Sequence, residues 1–334
     1  MYPDIYFEPK FGEINKEIEG GEPLHIVVET EDGKIESNVI KREIPTQIAG
    51  ETYYDLITPY GYGGPVITEQ ADSSEKLIAS YEAYMENFVQ KENIVSEFIR
   101  FHPIVKNDEG FEDIYEISAI RPVVQTKIHG DDTFQKEFSK STRKTVRRSL
   151  REEGVSYQVT HAPKNIESFK KIYYDTMDRV DASDFYFFDD EYFDALQASF
   201  NDNILLIEIF FEDQVVAAGL YFIYDGIMHA HLSGTDSEYL KYSPAYLTKF
   251  AAVEWGDAHG AKLLYSGGGT TNAKDDGLYR FKKRFSSTPD LTFKTGKKIW
   301  QPQVYQALVE KTCGDMDVSE VDFFPLYRYE QSMD

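Results

Sequence analysis

The sequence predicts a mixed α+β fold in two tandem domains, residues 1–139 and 140–334. Helical patterns, antiparallel strand runs and single strands follow one another irregularly, not in the strict strand–helix alternation of a doubly wound sheet. A similar order of elements then recurs in the second half. The length of 334 residues also exceeds one ordinary core and suits two domains of about 150 residues each.

Taken in order, Leu24 to Glu29 and Lys34 to Ile44 are β-rich runs joined by Glu31-Asp32-Gly33, whose Asp-Gly step signals a hairpin. Thr52 to Thr58 is a third strand, closed by Pro59 and a glycine-rich turn. Ser73 to Gln90 carries Leu77, Ile78, Tyr81, Met85 and Phe88 at helical spacing. Ile94 to His102 and Ile114 to Ile128 read as strands, and Phe134 to Glu153 as one helix ending at Gly154. Val155 to His161 opens the second round as a strand, followed by helices over Asn165 to Arg179 and Asp189 to Phe200. Ile204 to Phe211, Gln214 to Tyr224 and Ile227 to Leu232 form a meander with turns at Glu212-Asp213 and Asp225-Gly226. Pro244 to His259 is a helix, Lys262 to Tyr265 a strand, Gly277 to Phe285 a helix, Leu291 to Phe293 a strand and Gln303 to Thr312 a last helix. The domain boundary falls in the basic segment near residues 130–153.

Composition narrows the function. With 41% hydrophobic residues and 15% aromatics, the chain is globular. A formal charge of −23 argues against binding nucleic acid or an anionic membrane over the bulk surface. The single Cys313 excludes an internal disulfide framework and a multi-cysteine metal site. No apolar run approaches the roughly 20 residues of a membrane span, and the opening MYPDIYFEPKF does not resemble a secretion signal. These features give the expectation of a cytoplasmic protein.

The charge is uneven. Lys140 to Arg151 holds six basic residues and no acid, and Arg280 to Lys298 holds seven with Asp290 as its only acid. Together these 31 residues carry +12, and the remaining 303 carry −35. Each island reads either as a solvated helix face or as part of a site for a phosphate-bearing ligand.

Four segments could carry chemistry. Tyr60-Gly61-Tyr62-Gly63-Gly64-Pro65 lets backbone approach a ligand between two tyrosines, or is a tight turn at a sheet edge. Thr176 to Phe193 places Arg179 among Asp178, Asp181, Asp184, Asp189 and Asp190. There Arg179 with Tyr186 could clamp a carboxylate or phosphate, or Arg179 could pair with its aspartates. The acids lack calcium-loop spacing and read as caps. His229 and His231 alternate on a strand, too few for a zinc site. Ser266-Gly267-Gly268-Gly269-Thr270-Thr271-Asn272 leads into GLYRFKKRF, where Leu278, Phe281 and Phe285 make an apolar stripe and Tyr279 and Lys282 lie on another face. A glycine-rich loop before a helix start suits an anionic or carbonyl oxygen, and a plain amphipathic helix shows the same stripe.

YYDLITPYGYGGP, RKTVRRSLREEGV, YYDTMDRVDASDFYFFDDEYF, the stretch from His231 to Gly269 and GLYRFKKRF together resemble the Fem-type (FemABX) branch of the GNAT superfamily, including its polysaccharide-cluster and cellulose-cluster relatives. The matching segments run from residue 53 to 285. The resemblance implies two GNAT-like domains with a cleft between them, the second carrying the catalytic motif. It implies transfer of an acyl or aminoacyl group, by direct attack, onto an amine or hydroxyl of a cell-envelope or surface-polysaccharide precursor. The donor would be aminoacyl-tRNA or acyl-coenzyme A, with no tightly bound cofactor and no metal. Lys282 matches the family's Phe-Lys motif and would stabilise negative charge. Tyr62, Gly63 and Gly64 would shape the acceptor groove, with Tyr60, Arg179, Tyr186, Tyr242, Ser266, Gly267 and Tyr279 as substrate contacts and Arg143, Arg147 and Arg148 as a donor-binding basic patch. No general base is identifiable. The chain departs from coenzyme-A-using relatives at Lys241-Tyr242-Ser243-Pro244-Ala245, which has no glycine where they carry a pyrophosphate loop. Two alternatives stay open: an acyl-coenzyme-A-dependent N-acyltransferase acting on an amino sugar, and a catalytically silent GNAT-like binding protein.

Overall fold

The structure, a computed structural model, describes residues 2–71, 73–273, 275–314, 316–318 and 320–329. The chain divides into two compact units, 1–120 with 293–334, and 121–292. The sequence places the boundary at 139/140; the chain instead crosses between units within two strands.

The first unit begins with helix α1 (Pro9–Glu19), which starts at a proline and stops at Gly20 in the left-handed conformation. Strands β1 (Glu22–Thr30), β2 (Gly33–Ile48), β3 (Glu51–Ile57) and β4 (Val66–Gln70) follow. The Asp-Gly hairpin forms as expected, with β1 antiparallel to β2 from Glu22 opposite Lys41 to Thr30 opposite Gly33. Helix α2 (Ser74–Lys91) buries Leu77, Tyr81, Met85 and Val89, one stripe at helical spacing, against this sheet. Strand β5 (Ile94–Arg100) pairs parallel with β3. The chain then passes through β6 (Glu116–Lys127) into the second unit.

Strand β12 (Leu291–Ile299) brings it back, pairing antiparallel with β5 from Thr295 opposite Arg100 to Ile299 opposite Ser96. Helix α9 (Pro302–Cys313) then packs Tyr305, Leu308 and Val309 with Ile44, Tyr53 and Val95. This pairing and packing assign the last residues to the first unit.

In the second unit the strand order is β6-β11-β10-β9-β8-β7, where β7 is Val155–His161, β8 Ile204–Phe211, β9 Gln214–Tyr224, β10 Ile227–Thr235 and β11 Leu263–Gly267. All neighbours are antiparallel except β10 and β11. The expected meander β8-β9-β10 is present, and α7 (Pro244–His259) connects the parallel pair, as parallel strands require. Helices α5 (Glu167–Arg179) and α6 (Asp190–Phe200) lie between β7 and β8 in sequence.

The expected single helix over residues 134–153 is two: α3 (Thr133–Glu137) and α4 (Lys140–Ser149). Phe138 turns extended between them, its ring edge-on to Phe134 and Phe285, and Ser139 caps α4. Phe134, Phe138 and Val146 join Leu247, Phe250 and Leu264 in the core, which anchors residues 121–139 in the second unit. No helix among the described residues is long and apolar enough to cross a membrane.

Candidate active site

The second unit builds its most distinctive polar constellation at the end of β11 and on α8 (Gly277–Lys283). In the pairing of β11 with β6, Tyr265 lies opposite Gln125 and Gly267 opposite Val124, so Ser266 is the extra residue of a β-bulge. Bulges re-aim a side chain at a strand end. Ser266 is buried, and its Oγ lies 3.2 Å from the Nζ of Lys249, which arrives from the middle of α7.

Asp276 organises the loop that follows. Its Oδ1 accepts from the Tyr279 backbone N–H at 2.8 Å, capping α8. Its Oδ2 accepts from the backbone and hydroxyl of both Thr270 and Thr271. These bonds hold its carboxyl far below the usual carboxylate range. Only glycine fits at residue 269, because a Cβ there would lie 2.2 Å from Asp276 Oδ1. The helix start that the sequence offers to an anionic ligand is therefore filled by the chain's own carboxylate.

Lys282, one turn further on, is half-buried and donates to the Gly268 carbonyl at 2.7 Å. Arg121 donates to the next carbonyl, Gly269, at 3.0 Å. Burial presses the Lys282 ammonium down to about 8; Asp276 pulls it up and Arg121 pushes it down. Lys249 is 8% exposed and is held at about 7, by burial first and then by the charge of Lys282. Two lysines that exchange protons near neutral pH thus stand at one strand end, which suits them to acid–base and oxyanion chemistry.

The structure brings Ser266, Gly267 and Lys282 together. Tyr279 shares α8 with Lys282 but donates to Asp290 at 2.6 Å, which raises its phenol to about 12. Of the expected apolar stripe, Phe281 and Phe285 pack with Tyr246 while Leu278 stays exposed. Arg179 donates to the Thr235 carbonyl at 2.9 Å, and no ion pair joins it to the aspartates of its segment among the described residues. Asp189 caps α6 instead. Tyr186 is exposed beside Phe185, and Tyr242 stacks on Phe211 at 4.4 Å. A bulge at His231 interrupts the two-residue alternation expected of His229 and His231. The His231 ring stacks on Phe222, and burial with His229 lowers its pKa to about 3, so it is neutral.

On α4, Arg143 donates to the carbonyls of Gln135 and Phe138, and Arg147 donates to the Gln135 side chain while covering the Phe134 ring. Lys140, Lys144, Arg148 and Arg151 are exposed with no ion pair among the described residues. The N-terminus of α4 meets the end of α8, where Ser139 donates to the Arg284 carbonyl at 2.9 Å.

In the first unit, Tyr60 and Tyr62 are half-buried, and Tyr62 packs edge-on against Tyr6, His102 and Phe293. Gly63 is clamped by Asn107, which donates to its carbonyl at 2.8 Å, and Gly64 has φ +89°. A Cβ on Gly64 would also come 2.5 Å from Ile99 Cγ2. This turn is built into the core of its unit.

Residues 136–283 match the model of the acetyltransferase (GNAT) domain. The crystal structure of FemX superposes with a TM-score of 0.67 and 14% identity, over 91% of this chain and 94% of that one. The chain has the Fem-type GNAT fold. The C-terminal domain of a putative lysylphosphatidylglycerol synthetase from Agrobacterium fabrum gives 0.54 at 10% identity, over 92% of this chain and 98% of that one. L-PGS from Bacillus licheniformis gives 0.53 at 12% identity, over 89% and 94%. A calmodulin-lysine N-methyltransferase of Arabidopsis thaliana is 27% identical over 128 residues, 38% of this chain; the chain spans 42% of that curated relative.

Lys249, Asp276 and Arg121 are the site residues that sequence reasoning missed. One signal for Lys249 was available: it is the only charged residue from Pro244 to Val253, in a run otherwise rich in apolar residues.

Proposed function

We propose that this chain is an acyl- or aminoacyltransferase. It moves its group onto an amine or hydroxyl of a cell-envelope or surface-polysaccharide precursor by direct attack, without a covalent enzyme intermediate. The observation that carries the reading is the Lys282 ammonium, held at the Gly268 carbonyl within a GNAT domain and pressed toward neutrality by burial. A fixed cation in a water-poor site stabilises developing negative charge far better than one in bulk water. The envelope acceptor is supported by fold neighbours that include a putative lysylphosphatidylglycerol synthetase, whose name is that of an aminoacylated lipid. The exposed cations of α4 favour a polyanionic donor, aminoacyl-tRNA, over acyl-coenzyme A. Ser266 and Gly267 belong to the reacting centre, and the turn holding Tyr60, Tyr62, Gly63 and Gly64 to acceptor recognition.

Lys282→Ala tests this. Transfer should fall on the order of 100-fold or more, while donor binding, followed separately, survives. Unchanged transfer would remove Lys282 from the mechanism. Wild-type protein that binds donor but transfers nothing would favour the silent binding protein.

A further inference from the structure

We propose that Lys249 is the proton acceptor of the transfer, taking the acceptor's proton through the Ser266 hydroxyl; this rests on the transferase reading above. The placement of the amine carries the inference. Lys249 is buried on a helix that turns Leu247, Phe250, Ala251 and Val253 into the same core. No carboxylate lies within salt-bridge distance of it among the described residues. Its hydrogen-bond partner is Ser266, 3.2 Å away, and the Tyr221 ring of β9 lies 5.5 Å from Nζ. An enclosed lysine with no counter-ion favours its neutral form, and a neutral amine can accept a proton. Ser266 in turn is the next-to-last residue of the strand that leads to the Gly268 carbonyl held by Lys282. Oxyanion stabiliser and proton acceptor therefore flank the same three residues.

The groups around Lys249 agree with this. Burial keeps the Tyr221 phenol protonated. Lys282 on α8 is the charge that acts on Lys249, and it opposes protonation; Arg121 on β6 and Asp276 act on Lys282.

The step balances as follows. The acceptor nitrogen attacks the donor carbonyl and a C–N bond forms. The resulting ammonium gives one proton to Ser266 Oγ as Ser266 gives its own to Lys249 Nζ. The tetrahedral intermediate then collapses, and the C–O or C–S bond to the donor breaks. Its electron pair leaves on oxygen or sulfur, which takes a proton from the Lys282 ammonium. Both lysines recover their starting states by exchange with solvent.

Activity should therefore rise with pH through about 7, as Lys249 deprotonates, and fall through about 8, as Lys282 does. Because the two interact, the limbs belong to the pair.

Two measurements test the inference. The first follows lysine 15Nζ resonances of the whole protein against pH and needs no turnover. One resonance should titrate near 7 and vanish in Lys249→Met; titration of that resonance at ordinary lysine values overturns the inference. The second is the pH profile of transfer. Lys249→Met and Ser266→Ala should each lower kcat on the order of 100-fold with KM little changed, and Lys249→Met should lose the acidic limb. Ser266→Ala, a small change, keeps the test valid if Lys249→Met misfolds. An intact acidic limb in active Lys249→Met, or full activity in Ser266→Ala, refutes the relay and leaves the transferase reading standing. A wild-type protein that transfers from no donor refutes the transferase reading, and the relay with it.

Discussion

Replacing a buried lysine that has no carboxylate partner among the described residues by methionine removes an amine that resists protonation while keeping the length of the side chain. Lys249 is held at about 7 against an ordinary lysine value of 10.5, so the unfolded chain binds this proton more readily than the folded one. The sign follows by linkage: the penalty is absent above about 10.5, grows as pH falls and is complete below about 7. Lys249→Met should thus stabilise the protein by on the order of 5 kcal/mol at pH 6, since each tenfold loss of proton affinity on folding costs about 1.4 kcal/mol. The gain should shrink nearly to nothing at pH 10, a trend that urea unfolding at the two pH values would detect. A gain independent of pH would mean that Lys249 is not held neutral. A variant that is more stable and less active is the usual signature of a functional group buried at a cost. The site was half legible at this scale. Ser266, Gly267 and Lys282 announce themselves through the glycine-rich loop and the Phe-Lys helix. Asp276 and Arg121 do not, because their importance lies in which carbonyls and N–H groups they meet after folding.

At the scale of elements, local pattern read well wherever one stripe or one hairpin decides the outcome. The meander β8-β9-β10, the helix α7 and the Asp-Gly hairpin of β1 and β2 all formed where expected. It read badly where tertiary packing decides. The basic run looked like one helix continuing from Phe134, yet Phe138 leaves helical geometry to pack on Phe285, about 150 residues further along the chain. Ser139 then restarts the helix as its N-cap, accepting from the Thr142 backbone N–H. Ser139→Ala removes that acceptor while leaving the backbone bond to Arg284 in place. Stability should fall by about 1 kcal/mol, seen as a lower denaturation midpoint at unchanged m-value. No loss would show that packing of Phe138, and not the cap, sets where α4 begins. The strand β12 was expected over Leu291 to Phe293 and runs to Ile299, because its partner β5 lies almost 200 residues away and no local signal records it.

At the scale of the whole molecule, a charge of −23 repels a polyanion, so any nucleic-acid donor has to be met by a local surface. The two basic islands differ sharply once folded. In the second, Lys283 pairs with Asp290, Lys294 with Asp108 and Lys297 with Asp322, and Lys298 covers the Trp300 ring. Those charges are largely spent within the protein. In the first, Lys140, Lys144 and Arg148 on α4, and Arg151 just beyond its end, remain exposed and without an ion pair among the described residues, and the N-terminus of α4 touches the end of the Lys282 helix. Arg143 and Arg147 already serve backbone and side-chain acceptors, so Lys144→Glu/Arg148→Glu is the cleaner probe of donor binding. If aminoacyl-tRNA is the donor, its affinity should fall on the order of 100-fold between 50 and 200 mM salt, as about four phosphate contacts would require. The double variant should bind weakly and with a shallower salt slope. Acyl-coenzyme A, with fewer charges to neutralise, should respond much less to either change. A flat salt response for tRNA, unaltered in the double variant, would reject the polyanionic donor and leave the basic face of α4 as solvated surface. Transfer from acyl-coenzyme A would then be the reaction to pursue at the same Lys282.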